Sequence, residues 1–121
     1  MKFAAIDIGT NAIRLLIKEI KVHKGEMSIR KVSFTRVSLR LGEDVFETGE
    51  ISDKKARNLV KVLRAFWYLM DVYEIEWFKV CATSAMREAK NGKTIVKRLL
   101  KATGIEINII NGNEEAKIIA S

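Results

Sequence analysis

Residues 7–17 read Asp7-Ile8-Gly9-Thr10-Asn11-Ala12-Ile13-Arg14-Leu15-Leu16-Ile17. A hydrophobic segment here runs into a carboxylate, a glycine, a hydroxyl and an amide before a second apolar segment begins. Lys2 to Asp7 predicts a strand, and Ala12 to Ile20 predicts another, with Ile13, Leu15 and Ile17 alternating. The tip between them is small and polar. Glycine lets the backbone approach an anion closely, successive N–H groups at such a turn can cradle phosphate oxygens, and an aspartate at a strand end can hold a hydrated Mg²⁺. The same residue types also suit an ordinary hairpin tip, so this stretch taken alone leaves both readings open.

Working outward, Met27 to Val37 predicts a third strand, and His23-Lys24-Gly25-Glu26 the turn that joins it to the second. Leu41 to Thr48 reads as irregular, punctuated by Gly42 and Gly49. Ser52 offers an N-cap and Asp53 complements a helix dipole. Ala56, Leu59, Val60, Leu63, Phe66, Trp67 and Met70 then recur at spacings of three and four, the stripe of a long amphipathic helix. Trp77 to Ala82 fits a buried strand, after which Thr83 and Ser84 can cap a brief helix through Ala89. Beyond a turn at Asn91-Gly92, the residues Ile95, Val96, Leu99 and Leu100 mark another helix closed by Gly104. Ile105, Ile107 and Ile109 alternate as a fifth strand, and a last helix is expected after Gly112-Asn113. The order predicts an α/β domain with a mixed five-stranded sheet: three antiparallel N-terminal strands, then two strands reached by crossovers and parallel to the first.

A chain of 121 residues, 48% hydrophobic and 31% charged, is sized for one folded domain with its own core. It contains no linker-like stretch and no repeat. No apolar run approaches the length of a membrane span and the start does not read as a signal peptide, so a cytoplasmic location and no membrane partner are expected. The single Cys81 and single His23 rule out an internal disulfide and a Cys/His zinc cluster. Cys81 reads as packing in a buried strand, His23 as a solvated turn residue, and Trp67, Trp77 and Phe78 as core rather than a base-stacking platform. A net charge of +7 should attract polyanions, although lysines scattered over helix exteriors give the same total. Because Ser121 falls part-way into the last apolar helix, the native protein is expected to continue into a further domain.

The pentapeptide Asp7-Ile8-Gly9-Thr10-Asn11 with Ile13-Arg14-Leu15-Leu16-Ile17 resembles the first phosphate loop of the actin, Hsp70 and sugar kinase superfamily. Three further stretches narrow the likeness: Leu41-Gly42-Glu43 with Thr48-Gly49; Ala82-Thr83-Ser84-Ala85-Met86-Arg87-Glu88-Ala89 with Asn91; and Ile110-Asn111-Gly112-Asn113-Glu114-Glu115-Ala116. In this order, over essentially the whole chain, they resemble the exopolyphosphatase and guanosine pentaphosphate phosphohydrolase family. The resemblance implies a ribonuclease H-like (actin-like ATPase) domain, with residues 1–121 the N-terminal unit of a protein of two or more domains. A second phosphate loop, Asp-x-Gly-Gly-Gly-Ser in the family, has no match in this sequence and is expected in the absent domain.

The same resemblance implies hydrolysis of terminal phosphoanhydride bonds, releasing orthophosphate from inorganic polyphosphate or guanosine pentaphosphate with Mg²⁺ as cofactor. Glu115 is then expected to orient and deprotonate the attacking water, Arg87 to bind a substrate phosphate, Gly9, Thr10 and Asn11 to make loop contacts, and Asp7 to act through Mg²⁺ and its waters. Physical chemistry is compatible with each. Arg87, third in a helix capped by Ser84, would present its fork near a helix N-terminus where anions are favoured, and Glu114 and Glu115 would sit in the first turn of a helix, where carboxylates are stabilising anyway. A homodimer is the expected full-length assembly, with no specific nucleic acid partner. With half the contacts missing, the isolated chain is expected to turn over slowly or not at all. The alternatives are a non-catalytic polyphosphate or alarmone-binding module, or one half of an actin-like ATPase or sugar kinase.

Overall fold

The computed structural model describes residues 1–111. Three strands, β1 (Lys2–Ile8), β2 (Ala12–His23) and β3 (Glu26–Ser38), form an antiparallel meander. Lys24 and Gly25 join β2 to β3 with φ of 51° and 79°, the two positive values that a tight two-residue hairpin turn demands. Between Ile17 and Lys18 the register slips by one residue. Beyond that bulge the hairpin outruns β1 and leaves Val22, Met27 and Ile29 exposed.

Residues 41–48, expected to be irregular, form helix α1 (Leu41–Thr48). The glycines misled the reading. Gly49 (φ 80°) is its left-handed C-terminal stop, returning an N–H to the Val45 carbonyl, and Gly42 lies in the first turn, where a side chain would collide with Thr10. Only one apolar residue of α1 is fully buried, so it carries no core stripe to announce it. Helix α2 (Asp53–Val72) begins as expected, with Ser52 Oγ accepting from Lys55 N at 3.3 Å.

Strand β4 (Trp77–Ala82) pairs parallel to β1, and β5 (Asn108–Ile109) pairs parallel to β4, giving the order β3-β2-β1-β4-β5. Helices α3 (Ser84–Glu88) and α4 (Gly92–Thr103) lie between the last two strands. The fifth strand is shorter than its alternation suggested: Ile105 and Ile107 are buried without joining the ladder. Likewise only Val80, Cys81 and Ala82 of β4 are buried. The expected C-terminal helix after Gly112-Asn113 lies outside the described residues.

One face of the sheet supplies Ala4, Ile6, Ile8, Ile13, Leu15, Ile17, Val80 and Ala82 to a core completed by Leu59, Leu63 and Phe66 of α2 and by Ile95 and Leu99 of α4. Trp67 and Trp77, expected in this core, are 51% and 49% exposed. Trp67 sits one position round α2 from the buried Phe66 and meets Phe78 edge-on at 6.0 Å, whereas Trp77 stacks on Phe3 at 5.0 Å. No helix among the described residues is long and apolar enough to cross a membrane.

Two side-chain clamps hold the helices. Asn91 exchanges two 2.9 Å hydrogen bonds with the backbone of Ile51, as a strand partner would. Asp44 accepts from Ser52 N at 2.8 Å and pairs with Lys55 at 2.9 Å. Burial raises the Asp44 carboxyl, but hydrogen bonds from Ser52 and Lys55 outweigh it and hold the group below the ordinary carboxylate range. Its stabilisation is therefore complete above the unfolded-state pKa and lost as pH falls through the lower folded value. Asp44→Asn should cost about 0.5–1 kcal/mol at neutral pH, given solvent screening. In urea titrations that difference should vanish at acid pH. Gly92→Ala should be worse: alanine is favoured in helices by about 1 kcal/mol, yet the new Cβ would meet the Met86 carbonyl oxygen at 2.0 Å. A net loss of about 1–3 kcal/mol is expected from the same titration.

Candidate functional site

The parallel pairing of β1 with β4 places two strand tips side by side. Ile8 lies opposite Ala82. The Ile8 carbonyl accepts from Thr83 N at 3.0 Å and from Thr83 Oγ1 at 3.4 Å. Thr83, 5% exposed, is the one buried polar residue among those described. Past these bonds Thr10 Oγ1 and Ser84 Oγ share a hydrogen bond of 2.9 Å.

The glycine loop is closed from below. Gly9 N donates to Ala12 O at 2.9 Å, so this amide shapes the turn rather than pointing outward. Thr10 O accepts from Gly42 N, and Asn11 O accepts from both Leu39 N and Arg40 N. The Thr10 and Asn11 amides have no hydrogen-bond partner among the described residues. They border a cleft of about 290 Å³ lined by Gly9, Thr10, Asn11, Arg14, Arg36, Thr83 and Ser84. Open backbone N–H groups beside hydroxyls and guanidinium groups form a site suited to an anion.

Asp7 is not among the residues lining this cleft; it lies on β1 directly across from Arg14, which is. One carboxylate oxygen pairs with Arg14, its cross-strand neighbour. The other, Oδ1, is buried without a partner among the described residues. A buried carboxylate oxygen left unsatisfied is costly unless something else takes it, and a hard cation such as Mg²⁺ is chemically suited to it. No cluster of three or more His, Cys, Asp or Glu occurs among the described residues. Mg²⁺, which commonly keeps several waters and uses one or two carboxylates plus substrate oxygens, fits that sparse donor set.

Thr83, not Ser84, is the N-cap of α3, and its side chain makes no cap hydrogen bond. Ser84 is therefore the first helical residue, its hydroxyl turned to Thr10. Arg87 falls in the last turn of α3 rather than third after a cap, and Nη1 donates to Ile110 O at 2.7 Å. It does not line the cleft at the glycine loop. Glu114 and Glu115 lie outside the described residues. Cys81 is buried, as expected of packing, and His23 is exposed at the end of β2. Arg36 escaped the sequence reading, since only the β2–β3 register carries it to the cleft.

Sheet order, crossovers and strand-tip loop define a ribonuclease H-like domain of the actin-like ATPase type. The model of the Ppx/GppA phosphatase family matches residues 16–121, and the chain belongs to that family. The bifunctional 3-dehydroquinate synthase/phosphatase of Fusobacterium nucleatum is 34% identical over 118 residues, which cover 95% of this chain and 18% of that protein. Exopolyphosphatase 1 of Mycobacterium tuberculosis is 28% identical over 118 residues, 98% of this chain and 33% of that one. The Aquifex aeolicus PPX-GPPA enzyme superposes with a TM-score of 0.83 at 33% identity, covering 95% of this chain and 37% of the other. This chain thus spans little more than a third of the longest-matched of these relatives.

The loop depends on the absence of a side chain at Gly42, where a Cβ would lie 2.4 Å from Thr10 Cγ2. Gly42→Ala should break the Thr10–Ser84 hydrogen bond and shift the amide resonances of residues 9–11 in a ¹H–¹⁵N spectrum. Gly25→Ala, with nothing within 4 Å of its Cβ, should strain the distal turn and leave those resonances in place.

Proposed function

We propose that this chain supplies the first phosphate loop and one wall of the active site of a cytoplasmic, Mg²⁺-dependent exopolyphosphatase-type hydrolase, acting on inorganic polyphosphate or guanosine pentaphosphate. The observation that carries the reading is the pair of amides at Thr10 and Asn11, without a hydrogen-bond partner among the described residues, bordering a cleft whose charged lining among those residues is Arg14 and Arg36. Family membership makes phosphoanhydride hydrolysis the chemistry to assign to it.

In this reading Thr10, Asn11 and Ser84 hold the terminal phosphate. Gly9 keeps the turn tight enough for the phosphate to approach the backbone. Arg87 binds a substrate phosphate from its place beside Ile110, and Glu115 orients and deprotonates a water. The water oxygen forms a bond to the terminal phosphorus as the bridging P–O bond opposite breaks, and the shortened chain leaves with the bond's electron pair. Asp7 would hold Mg²⁺ through Oδ1. The ion, when bound, neutralises charge on the phosphoryl oxygens. A second domain of the same fold would complete the cleft with its own phosphate loop, in a homodimeric full-length protein. The shares of the relatives left uncovered support this larger parent.

Orthophosphate release from long-chain polyphosphate and from guanosine pentaphosphate, with Mg²⁺, tests the assignment. The full-length protein should be active, Glu115→Gln should lose roughly 10²–10⁴-fold, and the 121-residue chain should stay at background. An inactive full-length protein, or a Glu115→Gln variant equal to its parent, would replace the hydrolase with a non-catalytic binder of the same anions.

A further inference from the structure

We propose that the end of the sheet opposite the strand-tip loop carries a binding cleft for a linear polyamine, walled by Trp67 and Trp77 and rimmed by Asp71, Glu74 and Glu76.

A cleft of about 460 Å³ opens between the end of α2 and the start of β4, with Trp67, Met70, Asp71, Glu74, Glu76 and Trp77 among its lining. The shortness of β5 leaves room for it. That strand pairs with β4 only at Cys81 and Ala82, so on that edge no strand among the described residues flanks the first half of β4. The volume is that of a small-molecule site, and both tryptophans of the chain border it. Trp67 meets Phe78 edge-on and Trp77 stacks on Phe3, yet each is half-exposed. Two large rings are thus held in place with surface still open to solvent.

The charges around these rings work against the stability of the fold. Helix α2 has no basic residue in its last turn, where the helix dipole favours a cation, and Asp71 occupies that turn instead. Glu74 follows in a Schellman closure, in which Ile75 N donates to Met70 O at 3.1 Å and Glu74 N to Asp71 O at 3.0 Å. The closure holds Glu74 at φ 57°, in the place that glycine ordinarily fills. Glu76 is fixed by its N–H, which donates to Lys2 O at 3.0 Å. None of the three carboxylates has an ion-pair partner among the described residues. No Lys, Arg or His among those residues lines the cleft, in a chain whose net charge is +7. Three anions and a helix C-terminus therefore converge on two indole rings, surroundings that suit an organic cation.

A hard metal ion takes oxygen ligands and would make no use of the rings. A linear polyamine uses both parts of the cleft. Its methylene stems would lie on Trp67, Trp77 and Met70, and its ammonium groups would pair with the carboxylates and the ring faces.

Because Trp67 and Trp77 are the two tryptophans of the chain, indole fluorescence reads the cleft directly. At low ionic strength spermidine should change the emission saturably. Putrescine should bind about fivefold more weakly, as the loss of one exposed ion pair implies, and Mg²⁺ at matched ionic strength should leave the emission unchanged. Glu76→Gln should weaken spermidine about fivefold for the same reason. Glu74→Gly should weaken it equally while raising the unfolding midpoint, because it relieves the left-handed backbone. A role confined to structure would not move binding and stability in opposite directions. Glu47→Gln, on α1, controls for net charge and should bind as the parent does. Emission indifferent to spermidine, an equal response to Mg²⁺, or an equal loss in Glu47→Gln overturns the cleft. A trilysine peptide that binds as tightly as spermidine overturns the polyamine in favour of a basic protein partner.

Discussion

The Ile8 carbonyl, gripped by the backbone and hydroxyl of Thr83, is the joint on which the rest of the structure turns. It extends the parallel pairing of β1 and β4 one residue past the strands. The loop at residues 9–11 and the start of α3 consequently leave the sheet at the same level. Parallel strands end on the same side, so a sheet with this order gathers its loops at the carboxyl ends of β1 and β4. The hydroxyls of Thr10 and Ser84, 74 positions apart, meet there as an outcome of strand register.

The bracing around that joint is hydrogen bonding between segments far apart in sequence, most of it backbone to backbone. Asn91 pairs with Ile51 as a strand would, Lys90 N donates to Gly49 O, and Gly42 packs on Thr10. Glycine at 42 and 92 allows the close approaches, each at a point where a methyl group would meet another part of the chain. Polar loops can be held rigidly in this way because each buried backbone group finds a partner.

Charge follows a different logic from packing. Ala4, Ile6 and Ile8 of β1 and Ile13, Leu15 and Ile17 of β2 make an aliphatic core face, whereas Asp7, Arg14 and Arg36 mark a row of ionic groups on the other face of the sheet near the loop. Asp7 satisfies Arg14 and leaves its second oxygen unsatisfied. Uneven compensation of this kind is common where a site is organised around a charged ligand rather than for stability.

Much of the fold was legible from residue order because its signals are local. Alternation in Ile13, Leu15 and Ile17, the Ser52 cap and the stripe from Ala56 to Met70 arise from short-range geometry, and they appear where expected. The polar strand-tip loop was legible for the same reason, since glycine, hydroxyl and amide between two apolar segments are a local motif. Helix α1 was missed because its glycines serve tertiary contacts, and Trp67 and Trp77 were misplaced because periodicity does not say where a core ends. Arg36 and the Thr10–Ser84 contact could not be read at all, because a one-residue slip in strand register would send those side chains to the opposite face. The sequence by itself determined the five strands, the long helix α2, the order of these elements and the residue types of the loop. Only the tertiary structure decided which distant side chains share the cleft, because pairing register and helix packing are set by contacts between residues far apart along the chain.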